Sequence, residues 1–284
     1  MDDHDDLHDR GLAFDLATLR ERATEPTRLE RRGALKLLAG AGAGLVLVAC
    51  GSDSPSASTT SSTAGGVTRT TAGSGTSAAD AIPAETGGPF PGDGTNGPNV
   101  LVESGVVRED IRSSFGAYSG TAEGVTLAVD LTIVSAGTDT PMPGATVYLW
   151  HCDREGRYSL YSSGVTDQNY LRGVQEADDD GLLRFTTVFP GAYSGRWPHI
   201  HFEVFPDLTT ATSAGAPLVT SQLALPEDVC DTVYATSGYE QSIGNLAQTS
   251  LDRDMVFSDG YDQQLALVTG SVEDSLTAAL TVGV

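Results

Sequence analysis

From residue 124 onward, short apolar segments alternate with turn residues every 10–20 positions, the pattern of short strands. The segments 125–134, 145–152, 181–189, His199–Phe205 and 219–225 are rich in β-branched, aliphatic and aromatic side chains. Segments 265–269 and 278–284 predict a closing pair of strands. Gly-Thr-Asp-Thr-Pro (137–141), Asp-Arg-Glu-Gly (153–156) and Asp-Asp-Asp-Gly (178–181) supply the turn chemistry between them. No amphipathic stretch of ten or more residues interrupts the series, and 227–237 predicts one short helical turn. The expected fold is therefore all-β, an antiparallel β-sandwich with long loops. No repeat of 20–50 residues is present.

The first third reads differently. Arg31 and Arg32 precede an apolar run over 37–49 that is rich in Gly and Ala. The run is too short for a membrane span of ~20 residues and suits a signal-peptide core. Paired arginines fit the twin-arginine export route, and Leu47-Val48-Ala49-Cys50 resembles a bacterial lipobox, whose cysteine is lipidated. Residues 51–82 are almost wholly Ser, Thr, Gly, Ala and Pro, a composition that cannot bury enough apolar surface to order itself. The expected organisation is a twin-arginine-type lipoprotein signal region (1–50), a disordered tether (51–82) and a compact domain (83–284). The protein is expected outside the cytoplasm, held through Cys50 on the outer face of the cytoplasmic membrane.

Composition narrows the function. The chain has 38 acidic and 16 basic residues, and removing 1–49 takes away 9 and 7, leaving a charge near −20. Lys36, the only lysine, goes with the leader. Nucleic-acid binding is excluded, because it requires a basic patch. The acidity serves solubility and disfavours long-range attraction of anionic substrates. With Cys50 assigned to the lipobox, Cys152 and Cys230 remain as a potential disulfide in an exported protein.

The densest chemistry lies in 189–205. His199 and His201 stand at i and i+2, so a strand presents both imidazoles on one face, a spacing able to chelate one metal ion. Such a pair alone is as readily structural. Tyr193, in the Pro-Gly turn before the strand, and Tyr158, after the 145–152 strand, add phenolic oxygens, hard anionic donors that favour iron(III) over zinc or copper(I). A bound cation lowers the phenol pKa from its usual value near 10. Tyr161 and Tyr170 compete with Tyr158 on composition. A zinc or copper site completed by His151 or Glu203, and a non-catalytic β-sandwich binding a cell-wall component, are the rival readings.

At these residues the chain resembles the intradiol ring-cleavage dioxygenases. Residues 143–158 (Pro-Gly-Ala-Thr-Val-Tyr-Leu-Trp-His-Cys-Asp-Arg-Glu-Gly-Arg-Tyr) are similar to the strand and loop that carry that family's first tyrosine ligand. Residues 171–175 and 181–190 are similar to its next segments. Pro190-Gly-x-Tyr193 and Arg196-x-x-His199-Ile-His201 resemble its second tyrosine, its active-site arginine and its paired histidines. Thr220-Ser-Gln222 resembles the strand whose glutamine lies beside substrate, and Glu85–Phe90 resembles the start of the exported, protocatechuate-dioxygenase-like branch. The resemblance implies non-haem iron(III) held by Tyr158, Tyr193, His199 and His201, with Tyr193 the phenolate displaced by substrate. It implies that Arg196 stabilises negative charge developing on the ring, that Gln222 orients substrate, and that catechol-type compounds react with O2 to give muconate-type diacids. Residues 209–216 read as an insertion between His201 and Gln222. Phe90, Tyr118, Tyr148 and Trp197 are candidate lining residues.

Overall fold

The computed structural model describes residues 79–213 and 215–284. The expected leader, Cys50 and most of the tether lie outside the described residues. Ala79 already joins the body, its N–H donating to Asp139 and its carbonyl accepting from Gly137. Ile82 donates to the Gly283 carbonyl. No helix among the described residues is long and apolar enough to cross a membrane.

The strands are β1 (Thr126–Ser135), β2 (Thr140–Pro141), β3 (Thr146–Trp150), β4 (Arg172–Glu176), β5 (Leu182–Val188), β6 (His199–Phe205), β7 (Val219–Ala224), β8 (Leu267–Ser271) and β9 (Ser275–Gly283). They form two sheets. In the first, β1 lies between β9 and a side shared by β5 and the short β2, and β8 pairs with β9; in the second the order is β4-β3-β6-β7. The all-β expectation holds with one amendment: β1 and β9 run parallel, while the other strand pairs are antiparallel. The expected closing pair, β8 and β9, is present.

The first sheet follows simple alternation. Leu127, Val129, Leu131 and Ile133 of β1, with Leu183 and Phe185 of β5, turn inward. Val147, Leu149, Ile200, Phe202, Val204 and Leu223 meet them from the second sheet in one core. Each such side chain contributes roughly 1.5–3 kcal/mol on burial. The second sheet is covered on both faces, so β3 and β6 are buried throughout. Its outer face carries Tyr148, Trp150 and Phe205, which pack with Phe90, Tyr158 and Tyr193 from overlying loops.

Turn 178–181 forms because the Asp178 carboxylate accepts from the Asp180 and Leu182 amides while Gly181 adopts φ +76°, a conformation open to glycine. Strand β4 had been anticipated only through the family resemblance. The helical content exceeds the one short turn expected: α1 (Leu208–Thr212), α2 (Glu227–Tyr234) and α3 (Glu240–Leu246). Helix α1 fills the expected insertion, capped by the Asp207 side chain on the Thr210 amide, a standard N-cap. Helix α2 packs Cys230, Val233 and Tyr234 on the core. Cys152 and Cys230 are free, buried thiols; Cys152 donates to the Gly191 carbonyl.

Candidate metal centre

Strand β6 is the spine of the site. His199 and His201 project from its outer face, with β3 on one side, where Trp150 pairs with His201, and β7 on the other, where Gln222 pairs with His201. The indole of Trp150 stacks on the His201 imidazole at 5.0 Å and 3°, which fixes that ring. The Nδ1–H of His199 donates to the Trp197 carbonyl at 2.5 Å. That bond selects the tautomer whose Nε2 carries a lone pair. This nitrogen lies 3.1 Å from His201 Nε2 and 3.2 Å from the Tyr193 hydroxyl.

Tyr158 closes the group from the loop after β3. Its ring lies 5.8 Å from Tyr193 and 6.2 Å from His201. The structure therefore brings together all four residues expected to bind metal. Tyr158 is 1 % exposed and Tyr193 9 %, so Tyr193 is the more accessible phenol. The buried Tyr158 hydroxyl makes no hydrogen bond of ordinary geometry, although the adjoining Tyr193, after burial itself, helps raise its pKa well above the usual value. Burial, then the charge of Arg196 on His199 and the neighbouring imidazole and Arg196 on His201, lower both histidines well below the usual range. At neutral pH both imidazoles are uncharged donors.

A buried hydroxyl left without a partner costs roughly 1–3 kcal/mol. Here it stands beside imidazole lone pairs that converge on one another. One cation would satisfy all of them, so the donor set fits iron(III): two phenols and two neutral imidazoles, hard and borderline ligands. The rival sets do not assemble. Among the described residues no group of three or more His, Cys, Asp or Glu is placed to hold a metal. His151 donates through Nδ1 to the Cys152 carbonyl and meets Thr187 through Nε2, and burial lowers its pKa to about 4. Glu203 accepts from Thr220. Tyr161 accepts from the Gly92 amide, and Tyr170 donates to Asp153.

Arg196 is buried beside the four. Its Nε donates to Asp254 at 2.9 Å, and its Nη2 donates to the Gln222 side-chain oxygen at 2.7 Å. Gln222 completes its amide by donating to the Thr86 carbonyl. Both expected polar residues are thus present at the site. Asp254 was not anticipated from sequence. It also accepts from the Trp197, Val256 and Phe257 amides, and nothing in Leu251-Asp-Arg-Asp254 distinguishes it from a solvated acidic loop. Of the candidate lining residues, Phe90 lies 5.0 Å from the Tyr158 ring. Tyr148 stacks on Trp150 and donates to the Pro91 carbonyl. Trp197 turns to the core and donates to the Leu225 carbonyl, and Tyr118 sits half-buried in the turn after Phe115.

Known proteins resemble this chain in sequence and fold. The family model described as Dioxygenase matches residues 104–228. An intradiol ring-cleavage dioxygenase from Tetranychus urticae is 26 % identical, with TM-score 0.54, covering 64 % of this chain and 88 % of that one. A chlorocatechol 1,2-dioxygenase of Rhodococcus opacus is 30 % identical over 87 residues, 24 % of this chain and 34 % of the relative. A catechol 1,2-dioxygenase of Pseudomonas sp. (strain EST1001) is 42 % identical over 53 residues, 19 % of this chain and 17 % of the relative. The two curated relatives are thus matched over 34 % and 17 % of their length. With the matched segment running through the strand pair and loops that assemble Tyr158, Tyr193, His199 and His201, the chain is similar in sequence and fold to the intradiol ring-cleavage dioxygenases.

Proposed function

We propose that the protein uses non-haem iron(III), held by Tyr158, Tyr193, His199 and His201, to cleave catechol-type compounds with O2 between the two hydroxylated carbons. Both oxygen atoms enter the product, a muconate-type diacid. The single observation that carries the reading is the buried convergence of two phenols and two uncharged imidazoles, one phenol lacking a hydrogen-bond partner of its own. The names of the relatives, catechol and chlorocatechol 1,2-dioxygenases, support the substrate class.

Iron(III), when bound, would supply Lewis acidity and a template for the substrate oxygens. The chain's own residues supply the rest. Tyr193, the more exposed phenol, is the group able to yield its place, and as a phenolate its oxygen takes a proton from a catechol hydroxyl. Arg196, fixed by Asp254 and Gln222, is a preorganised cation for negative charge developing on the ring. In a site shielded from water such a fixed charge is worth far more than in solution. Trp150 holds His201 in place by stacking. Export and lipid anchoring at Cys50 remain part of the proposal, on the strength of the leader motifs alone.

Oxygen uptake with a panel of catechols tests the proposal, read together with the visible spectrum. The purified protein loaded with iron(III) is expected to be red-brown through a tyrosinate-to-iron band and to consume O2 with catechol. Tyr158→Phe is expected to weaken iron binding and to bleach or shift the band. A colourless protein that takes up no O2 overturns the reading.

A further inference from the structure

Arg172, the first residue of β4, is fully buried, and no acidic residue lies within ion-pair distance of it among the described residues. A buried guanidinium is costly unless its donors are satisfied, and here all five are used. Nε donates to the Ser159 hydroxyl at 3.0 Å. Nη1 donates to the Pro91 carbonyl at 2.7 Å and to the Tyr148 hydroxyl at 3.2 Å. Nη2 donates to the carbonyls of Phe90 at 2.9 Å and Ser159 at 3.0 Å. Apart from Tyr148 on β3, the acceptors come from two separate segments: the strap that includes Phe90 and Pro91, and Ser159 in the loop next to Tyr158.

The strap is shaped around this side chain. Gly92 has φ +69°, and a Cβ there would stand 2.9 Å from Arg172 Nη1, closer than real contacts allow. The Gly92 amide donates to the Tyr161 hydroxyl at 2.9 Å, and the Arg172 guanidinium lies 5.5 Å over the Tyr161 ring. One residue before the acceptor Pro91, the Phe90 ring rests 5.0 Å from the Tyr158 ring. On the other side of Tyr158, its own amide donates to the Ser162 hydroxyl. The phenol is therefore flanked by a loop and a strap that meet on one guanidinium.

We propose that Arg172 is the positioning residue for the Tyr158 phenol, tying the loop that bears it to the strap that packs on it. The inference rests on the reading of Tyr158 as a metal ligand and goes beyond it. Arg172 acts through Ser159 and Phe90 rather than by touching metal or substrate. Lysine cannot replace it, because a single ammonium lacks the planar fork that serves two segments at once.

The test uses the full chain with Arg172→Lys and, from the strap side, Gly92→Ala. Three readouts are taken: iron(III) affinity in competition with a chelator, the tyrosinate-to-iron band at saturation, and hydrogen exchange of the metal-free protein over 83–94 and 158–162. In both variants iron affinity is expected to fall by about tenfold or more, the usual effect of removing an outer support of a ligand. The band is expected to shift, and exchange in both segments to rise together. Should Arg172→Lys fail to fold, Gly92→Ala carries the same three readouts. A folded variant with wild-type affinity and band, or with exchange rising in only one segment, overturns the clamp. A wild-type protein that takes up no iron(III) instead overturns the metal reading, and with it any ligand for Arg172 to position.

Discussion

Arg196 and Asp254 are a buried pair with both side chains inaccessible to solvent. The desolvation of such a pair is offset only while both partners and their hydrogen bonds remain, and removing one costs roughly 3–5 kcal/mol. Asp254→Asn is therefore expected to destabilise the fold by about 3 kcal/mol and to free the guanidinium from its present direction. If Arg196 acts on charge developing in the transition state, kcat falls more than KM rises. Denaturant unfolding and steady-state kinetics with catechol measure the two effects. Wild-type kcat in a destabilised but folded variant would show that Asp254 serves the fold alone. At this scale Tyr193, Arg196, His199 and His201 were legible because their spacing in sequence carries the motif, and Tyr158 only through the family resemblance. Asp254 and Arg172 were not, because their partners lie far along the chain: 58 residues separate Asp254 from Arg196, and 81 separate Arg172 from Pro91.

Strand β6 performs two tasks with its two faces. Ile200, Phe202 and Val204 enter the shared core, while His199 and His201 face the overlying loops. Ile200→Ala is expected to lower stability by about 2–5 kcal/mol through the cavity it leaves, yet to leave the iron band of the loaded, folded protein in place, since the lost atoms lie on the opposite face. Thermal unfolding and the visible spectrum check both halves, and a lost band would mean that the faces are not independent. The strand was legible end to end in the sequence, for its boundaries coincide with the apolar segment. Strand β4 was not legible from its own pattern. It holds Arg172, Gly173, Gln175 and Glu176, and pairing with β3 makes it a strand where its composition does not.

For the whole molecule, the acid balance matters most where an acid is partly buried. Burial, then Asp259, raise Glu85 from 4.5 to about 7 against the opposing effects of Gln264 and Arg196; Asp254 adds a weaker raising effect. A carboxyl that holds its proton more tightly folded than unfolded contributes stability that is full below about pH 4.5 and is lost as pH rises through 7. Undiscounted, that loss is about 3 kcal/mol. Glu85 is partly exposed, and solvent screening reduces the figure to about 1 kcal/mol. Urea unfolding at pH 5 and pH 8.5 is expected to show Glu85→Gln gaining about that much on the native protein at the higher pH. Parallel pH curves for the two proteins would refute this.

The sequence by itself determined the periodic strands, the turn at 178–181, the His199/His201 pair and Tyr193 six residues before it. These are local: a period of two, an Asp–Gly turn and an i, i+2 spacing act within a few residues. Tertiary structure alone decided that β9 would lie parallel beside β1, that Cys152 and Cys230 would stay apart as thiols, and which of Tyr158, Tyr161 and Tyr170 would meet the imidazoles. It also decided that a guanidinium without an acid would be satisfied by carbonyls from the strap and the loop. Those outcomes depend on which distant segments share a buried space and on whose polar atoms are left to pair there, which no local pattern encodes.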